Sequence, residues 1–492
     1  MHRRRWLAAL GILALIACGS LALRRASPPA VRSPAPPMLD RVVIDGVPHE
    51  KQKPDFCGEA CIAMWLAKLR QPADQDLIFE QTGVDPALGR GAYAAELARA
   101  LERFGFQIGR GFYPVMGSHP QTQAQLEERF ADLHRDLLRG IPSIVCMHYD
   151  ESPESSEHFR LILGYDPTKD EVVYHEPAEA DGAYRRMARP RFLSLWPLKS
   201  DAHDWTVVRF RLAQDGKSRD VVNAPTGRRS ADYAQHILAL KRRLPEGFSL
   251  ALAPPFVVVG DGGADAVQGY AQGSIAWAVQ RLKQSYFSQD PEAIIDIWLF
   301  KDADSYRQNL KRLFDEEPST PYGYYSERHQ ALFMNIATGG GTLVHEIVHP
   351  YLHANFPDVP AWFNEGLGSL YEQCDEADGK IVGLTNWRLS GLQAHIREHT
   401  VPSFASLTSA SDQAFYRGPH RSTGYGQARY LLYYLQQHGL LEAYYRRFLQ
   451  SRRIDPTGYR TLMQVLGETD MAAFQARWEQ WVLQLVFEDS DG

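Results

Sequence analysis

The sequence predicts an α+β protein with two folded domains behind an N-terminal segment. Apolar runs at strand spacing alternate with amphipathic stretches through most of the 492 residues, which indicates a mixture of strands and helices. Residues 213–229 are polar and contain Gly and Pro, so we place a linker there. At roughly 100–200 residues per domain, the chain has room for the two domains that we assign, residues 41–212 and 230–492.

Residues 1–17 have the pattern of an export signal, because arginines at positions 3–5 precede an apolar stretch. The stretch ends in Leu-Ile-Ala-Cys18, which resembles the lipobox of bacterial lipoproteins and implies lipidation of Cys18. We assign residues 18–40 to this lipid site and a stiff proline-rich spacer. The alternative is an uncleaved anchor, since apolar residues continue to Leu23. Both interpretations predict a membrane-anchored protein facing the periplasm or the cell exterior.

Composition excludes some classes of function. The formal net charge is −6, and no basic cluster with interleaved aromatic residues occurs, so we expect no nucleic-acid partner. Five cysteines in a chain of this length do not form a disulfide framework.

The first domain contains a possible nucleophile, base and acid in order along the chain. Cys57 opens a predicted helix, where the helix dipole favours a thiolate, and Gln52 precedes it. His158 begins the predicted strand 157–166, and Glu176 closes the next predicted strand. A cysteine, a histidine on a strand and an acid on the neighbouring strand can form a nucleophile–base–orienter set.

These motifs resemble the papain-like peptidases of the bacteriocin-processing type, which cut leader peptides after double glycines. The resemblance implies that Gln52 donates to an oxyanion, Cys57 is the nucleophile, His158 the base and Glu176 the orienter. The sequence departs from the family in having Glu rather than Asp at position 176. Glu59 is a second departure, because a negative charge there opposes thiolate formation. The alternative is a papain-like fold that binds peptides without cutting them.

The second domain begins with a predicted helix over residues 230–243. Strands are predicted at 256–259 and 293–300 on either side of a helix from 265 to 284, and a further helix is predicted at 303–314. Residues 330–336 read as a strand that leads into the next motif.

That motif, His345-Glu-Ile-Val-His349, predicts a metal site. Positions i and i+4 of a helix share a face, so both imidazoles can bind one ion. Glu346 is placed to act on a metal-bound water, and Glu365, on the apolar stretch 361–372, offers a third ligand. Two His and one Glu leave a fourth zinc position open, as in hydrolytic zinc sites.

This region resembles the gluzincin metallopeptidases, particularly the aminopeptidase-like group with a Trp-x-Asn-Glu-Gly pattern, seen here at residues 362–366. The resemblance implies a zinc cofactor held by His345, His349 and Glu365. It also implies that Tyr425, which precedes a predicted helix at 429–438, stabilises the tetrahedral intermediate. Asn364 is expected to orient the site. Helices are predicted for most of the rest, at 430–448, 459–466 and 471–487.

Three functions follow as hypotheses. The first is an exported, membrane-tethered peptidase with a zinc site and a cysteine site, acting on peptide or protein substrates. The second is a single zinc metallopeptidase whose N-terminal domain only binds substrate. The third is a non-catalytic adaptor in which both sites are degenerate.

Overall fold

Two β-sheets, one in each half of the chain, organise the molecule. The computed structural model describes residues 39–117, 119–199, 204–214, 228–418 and 421–487. The predicted export signal, Cys18 and the proline-rich spacer lie outside these residues, as do residues 215–227 of the predicted linker. Within the described ranges, no helix is both long and apolar enough to cross a membrane.

The first half alternates short helices with the strands of its sheet. Its strands are β1 (Val42–Val43), β2 (Phe106–Gln107), β3 (Gly111–Val115), β4 (Ser143–His148), β5 (Glu157–Asp166), β6 (Glu171–His175), β7 (Arg185–Ala188), β8 (Leu198–Lys199), β9 (Trp205–Arg211) and β10 (Ala213–Gln214). Its helices are α1 (Cys57–Lys68), α2 (Gln75–Thr82), α3 (Ala94–Arg103), α4 (His119–Leu137) and α5 (Arg189–Leu195), with a 3₁₀ turn at Pro86–Leu88.

The main sheet of this half is antiparallel, in the order β3-β9-β4-β5-β6-β7. Helices α1 to α3 cover one face around Ile62 and Leu161, and α4 and α5 cover the other around Phe130 and Trp196. Because β5 and β6 are antiparallel neighbours, the start of β5 lies beside the end of β6. This register brings His158 next to Glu176.

The second half is richer in helix. Its strands are β11 (Ser249–Ala253), β12 (Phe256–Gly260), β13 (Ile295–Phe300), β14 (Gly323–Ser326), β15 (Ala331–Asn335), β16 (Cys374–Ala377) and β17 (Lys380–Gly383). Its helices are α6 (Ser230–Lys241), α7 (Ala264–Tyr270), α8 (Ala276–Ser285), α9 (Ala303–Phe314), α10 (Gly341–Asn355), α11 (Ala361–Leu370), α12 (Arg388–Arg397), α13 (Phe404–Thr408), α14 (Asp412–Arg417), α15 (Arg421–Gln437), α16 (Leu441–Ser451), α17 (Tyr459–Leu466) and α18 (Met471–Val482), with a π-helical segment at Ala271–Ile275 and a 3₁₀ turn at Ile336–Thr338.

A five-stranded mixed sheet, in the order β11-β12-β13-β15-β14, forms the base of this half. The central strands β12, β13 and β15 are parallel and buried on both faces, which explains their nearly continuous apolar sequence. Helices α7, α8 and α10 pack on one face, and α6 and α9 pack on the other. The described linker residues Ala213 and Gln214 differ from the prediction, because they pair with β2 as a strand.

Two predicted helices in the C-terminal region have different bounds in the structure. The stretch at 430–448 is two helices, α15 and α16, because Gly439 adopts a left-handed conformation with φ of 69° between them. The stretch at 471–487 is helical only to Val482.

Candidate active sites in the two halves

Two glycines let helix α11 lie close to its neighbours α10 and α15. A Cβ added to Gly368 of α11 would lie 3.1 Å from the His345 imidazole of α10. On another face of α11, a Cβ added to Gly366 would lie 3.2 Å from the Ala428 side chain of α15. The backbone of α11 therefore contacts side chains of both other helices directly, and α11 lies between the two.

The described residues contain one group of three or more His, Cys, Asp or Glu side chains close enough to share a metal ion. Its members are His345, Glu346 and His349, whose candidate ligand atoms all lie within 4.8 Å of one another. Glu365 also reaches this point from α11, with Oε2 3.3 Å from His345 Nε2. The structure thus places His345, His349 and Glu346 in one group, and Glu365 lies beside His345 at its edge.

Both imidazoles are oriented through the ring nitrogen that faces away from the cluster. His345 Nδ1 lies 3.1 Å from Glu372 Oε1, and His349 Nδ1 lies 2.9 Å from Asn364 Oδ1. An oxygen acceptor at Nδ1 fixes the tautomer and leaves Nε2 as the lone-pair donor. Both Nε2 atoms are therefore directed towards the common point.

Glu372 connects the cluster to Arg388, a partly buried arginine. The Arg388 guanidinium donates Nε to Glu372 Oε2 over 2.8 Å and Nη2 to Oε1 over 2.6 Å, and the Asn386 amide donates to Oε2 over 3.1 Å. Burial on its own raises the pKa of Glu372, but its bonds to Arg388 and His345 lower the pKa to about 2. Glu372 is therefore a carboxylate at neutral pH and holds the ring of His345.

Glu365 receives a hydrogen bond from a tyrosine that sequence reasoning missed. The Tyr416 hydroxyl donates to Glu365 Oε1 over 2.9 Å. Burial opposes ionisation of Glu365, but the two histidines and Tyr416 outweigh it and lower its pKa to about 2. His345 shows the reciprocal effect, because Glu365 and Glu372 overcome its burial and raise its pKa to about 10.

The charges around the cluster suit a divalent cation. Glu346, Glu365 and Glu372 contribute three buried carboxylates, whereas Arg388 contributes one guanidinium. A metal ion would displace the proton of His345, and with both imidazoles then neutral the balance of these groups is two negative charges, which a divalent ion neutralises. Two imidazole nitrogens and a carboxylate oxygen are also the donor types that zinc prefers. The residues therefore fit zinc.

Glu346 occupies a different position from the other carboxylates. Its Oε2 accepts the backbone N–H of Tyr325, in edge strand β14, over 3.0 Å. Burial is the largest influence on Glu346 and raises its pKa, although the neighbouring histidines oppose the shift. A carboxyl group with a raised pKa is a better proton acceptor than an exposed glutamate.

Tyr425 does not precede its helix as predicted, because α15 already begins at Arg421. Its ring packs against Phe415 at 5.1 Å between centroids, and the Arg388 guanidinium lies 5.3 Å from its centre. Its role in stabilising an intermediate remains a prediction. Sequence reasoning also missed Glu372. It lies seven residues after Glu365, which is about two helical turns, so a helical pattern places both on the same face.

Cys57 begins α1 in the first half, as the sequence predicts, and it is half-buried rather than sealed in the core. Its thiol lies against the backbone of Phe159, the residue that follows His158 on β5. Among the hydrogen bonds of the described residues, none joins Cys57 to His158. Burial raises the pKa of the Cys57 thiol to about 12, and the nearby acids Glu59 and Asp55 add to the shift.

His158 and Glu176 form a buried pair, in which Glu176 Oε1 hydrogen-bonds His158 Nε2. Arg160 donates Nε to Glu176 Oε2 over 2.7 Å, and the Ala178 N–H donates to Oε1 over 3.1 Å. Burial on its own raises the pKa of Glu176, but His158, Arg160 and this N–H lower it. The carboxylate therefore fixes Nε2 and leaves His158 Nδ1 for another partner.

Gln52 approaches this pair from the chain before α1. Its backbone N–H donates to the Pro177 carbonyl over 2.8 Å, directly after Glu176. Its side-chain Oε1 is buried and lacks a hydrogen-bond partner in the part of the chain that the structure describes. The predicted oxyanion donor therefore lies beside the acid of the predicted set.

Glu59 is buried on α1, and the Ala92 N–H donates to its Oε1 over 2.9 Å. Burial raises the pKa of this carboxyl group to about 8. Below that pH the group is largely protonated and uncharged. It therefore opposes a Cys57 thiolate less than the sequence indicates.

Comparison with known proteins identifies the first half. Residues 44–202 match the sequence model of the Peptidase_C39 like family and form a Peptidase_C39-like domain, which points to a peptidase with a peptide or protein substrate. The predicted papain-like resemblance of this half is thereby confirmed at the level of the domain.

Among solved structures, the chain is similar to the peptidase domain of Streptococcus ComA, a bi-functional ABC transporter involved in a quorum sensing pathway. Sequence identity is 15%, the match covers 34% of this chain and 100% of that domain, and the TM-score is 0.23. No curated protein matches the chain.

Proposed function

We propose that this protein is a peptidase with a zinc site in its second half and a cysteine site in its Peptidase_C39-like half. The observation that carries the proposal is the buried group of His345, Glu346 and His349, with Glu365 beside His345. Each imidazole is also fixed by an oxygen at Nδ1. When bound, zinc lowers the pKa of a coordinated water to about 7 and polarises a carbonyl oxygen.

The residues of the second half have separate roles in this proposal. His345, His349 and Glu365 would hold the ion. Glu346 accepts the proton of the attacking water and passes it to the leaving amine, which its raised pKa favours. Tyr416 keeps Glu365 in place through the hydroxyl group that it donates.

Metal analysis of the purified full chain tests the zinc site without requiring a known substrate. We expect about one zinc per chain for the wild-type protein and loss of bound zinc in His349→Ala. The matched control is His399→Ala, because His399 is exposed and lies far along the chain. Wild-type protein that binds no zinc, or His349→Ala with full zinc content, would overturn the assignment.

In the first half, Cys57 Sγ attacks the carbonyl carbon of the peptide while His158 Nδ1 takes the thiol proton. Gln52 donates its side-chain amide to the oxyanion, and Glu176 keeps Nε2 of His158 in place. The C–N bond then breaks, His158 returns the proton to the leaving amine, and water releases the acyl group from sulfur.

A second candidate function for this half is peptide binding without cleavage. It is favoured by the absence of a Cys57–His158 hydrogen bond among the described side chains and by the raised thiol pKa. Peptide-library cleavage by the full chain separates the two candidates, with a chelator and iodoacetamide applied individually. Cleavage that iodoacetamide abolishes and the chelator spares supports the cysteine peptidase. Retention of peptides without such cleavage supports binding.

We also propose that the protein is exported and tethered to a membrane through a lipidated Cys18. Lipoprotein processing supplies the two or more acyl chains that stable attachment needs. Mass spectrometry of the mature N-terminus tests this, with an acylated Cys18 as the expected result. An intact Met1 with unmodified Cys18 in the membrane fraction would instead support the uncleaved anchor.

A further inference from the structure

Helix α6 belongs to the hydrophobic cores of both halves. Ala231 and Ala234 pack into the core of the first half, which also contains Phe56, the residue before Cys57. Tyr233 and Ile237 pack into the core formed by the second sheet and α9. The helix lies outside residues 44–202, so it is an addition of this chain to its Peptidase_C39-like domain.

Polar contacts fasten the N-terminal end of α6 to the first half. Arg229 donates Nη1 to both carboxylate oxygens of Asp74, over 2.8 and 2.7 Å. The Ser230 N–H and hydroxyl both donate to the Glu80 carboxylate, over 2.5 and 3.0 Å. Both acids lie on or next to α2, so this end of α6 is fixed to α2.

The other face of α6 is fixed to the second sheet. His236 Nε2 lies 2.7 Å from Asp296 Oδ1, and Asp296 is a buried residue of the central strand β13. At the C-terminal end, the Lys241 ammonium donates to the Leu88 carbonyl of the first half over 2.6 Å. The helix therefore connects the second sheet to the first half, because it is hydrogen-bonded to both.

One contact of α6 reaches the loop that carries the proposed cysteine chemistry. Gln235 donates Nε2 to the Pro54 carbonyl over 2.8 Å. Pro54 lies between Gln52 and Cys57, so this bond holds the short segment that connects the predicted oxyanion donor to the predicted nucleophile.

The same loop has an unusual backbone conformation that needs support. Asp55 has a φ of 66°, in the left-handed region that non-glycine residues rarely adopt. Its carboxylate accepts the Gly91 N–H over 2.9 Å, and a Cβ at Gly91 would lie 1.9 Å from the Asp55 carbonyl oxygen. Gly91 supports the loop from one side, and Gln235 supports the adjacent residue from α6.

We infer that Gln235 is a positioning residue for the proposed cysteine site, through which the second half sets the geometry of the Gln52–Cys57 loop. A role of Gln235 in catalysis rests on the proposed cysteine-peptidase function. Its role in holding the Gln52–Cys57 loop does not depend on that function. Without the Gln235 bond, the loop relaxes, Cys57 becomes more accessible, and the alignment of Gln52 with Cys57 is lost.

The test uses the full chain and iodoacetamide, which alkylates cysteine thiolates whether or not the protein cuts peptides. Mass spectrometry follows the alkylation rates of Cys57, Cys61 and Cys146 separately, and the last two are buried internal references. Gln235→Leu has a side chain of similar shape but no donor. In this variant we expect the alkylation rate of Cys57 to rise by about fivefold, because one ordinary hydrogen bond changes an equilibrium constant by about that factor. Cys61 and Cys146 should keep their wild-type rates.

Two further variants complete the design. Lys241→Met removes another contact between the same helix and the first half, but one that does not touch the Gln52–Cys57 loop, so it should leave the Cys57 rate unchanged. Gln235→Lys keeps a donor of similar reach and should restore the wild-type rate.

An unchanged Cys57 rate in Gln235→Leu overturns the inference. Equal increases at all three cysteines also overturn it, because they indicate general loosening of the first half. A fall in thiol-dependent cleavage alongside the faster alkylation would extend the effect to catalysis. If the wild-type protein shows no such cleavage, the cysteine-peptidase proposal fails, while the alkylation rates still decide whether Gln235 positions the loop.

Discussion

The two candidate sites differ in how far apart their residues lie along the chain. The candidate metal site draws its residues from two consecutive helices, α10 and α11, whereas the cysteine set joins the start of α1 to two strands about a hundred residues later. In the first, His345, Glu346 and His349 lie together, and neighbouring oxygens fix both imidazoles. In the second, the His158–Glu176 pair is formed, but Cys57 is not hydrogen-bonded to it in the described structure.

This difference has a physical cause. Helical spacing places His345 and His349 on one face, and glycine lets α11 approach that face, so local geometry determines most of the cluster. The cysteine set depends on how α1 packs on β5 and on the loop before it. Small shifts of that loop change the Cys57–His158 distance, so this site is more sensitive to contacts made elsewhere.

The largest expected effect concerns the base of the metal site. Glu346→Gln should lower chelator-sensitive peptide cleavage by about 100- to 10 000-fold, the usual contribution of a positioned base, and leave bound zinc unchanged. Rates and metal content measured on the same sample check this. Glu398→Gln, at an exposed position, is the control and should behave as wild type. Full activity in Glu346→Gln would remove this residue from the mechanism.

The second prediction concerns the buried pair of the first half. Glu176→Leu should lower the free energy of unfolding by about 3–5 kcal/mol, because the buried Arg160 loses its carboxylate partner. Urea unfolding measures the loss. Glu171→Leu is a matched control on β6, since its partly exposed contact with Arg186 should be worth about 0–1 kcal/mol. Similar losses in both variants would mean that the Glu176–Arg160 pair has no special role in stability.

Arg388→Leu tests whether residues that orient the proposed ligands, without touching the metal themselves, contribute to zinc affinity. Without the guanidinium, Glu372 is less well held at His345 Nδ1, so zinc affinity should fall by about 10- to 100-fold. Zinc titration against a competing chelator gives the affinity. Arg397→Leu, on the same helix but exposed, should bind zinc as the wild type does. Equal zinc affinities for the wild type and both variants would mean that only the direct ligands determine zinc binding.

The last prediction is a pH dependence of stability from Glu59. The folded carboxyl group has a pKa of about 8, whereas 4.5 is its ordinary value, so between these pH values the folded state binds more protons than the unfolded chain. Stability therefore falls as pH rises through this window, by at most about 1.4 kcal/mol per pH unit, and this loss ends above pH 8.

Glu59→Gln should remove this component of the pH dependence. Urea unfolding of both proteins across the window measures it, and the stability of the variant relative to wild type should increase with pH. Parallel stability curves for the two proteins would show that Glu59 ionises normally in the folded chain.

The helices and strands that the sequence predicted correctly are those whose residue pattern is local. Helices α9 and α17 have the predicted bounds, β5 spans the predicted residues 157–166, and β12 and β15 are within one residue at each end. These segments have clear periodicity and strong end signals. The break at Gly439 was missed because apolar residues continue with helical spacing on both sides of it.

The parts of the sites that sequence did not predict depend on long-range packing. Tyr416 and Arg388 reach the metal cluster from helices whose own sequences carry no signal of it. The burial that raises the pKa of Cys57 and Glu59 likewise comes from packing around α1. Sequence indicates which residues can react, whereas their protonation depends on the surrounding fold.

The placement of α11 between α10 and α15 has a consequence for the choice of ion. Because Gly366 and Gly368 have no side chain, Leu432 and Ala428 of α15 and the His345 imidazole of α10 lie directly against the backbone of α11. Moving α11 away from its neighbours would open these contacts, so we expect the space between His345, His349 and Glu365 to keep a nearly constant width. Ions of zinc's size, such as cobalt(II), fit this width, whereas the larger cadmium ion must force the helices apart. The relative affinities for these ions consequently measure the stiffness of the helix packing.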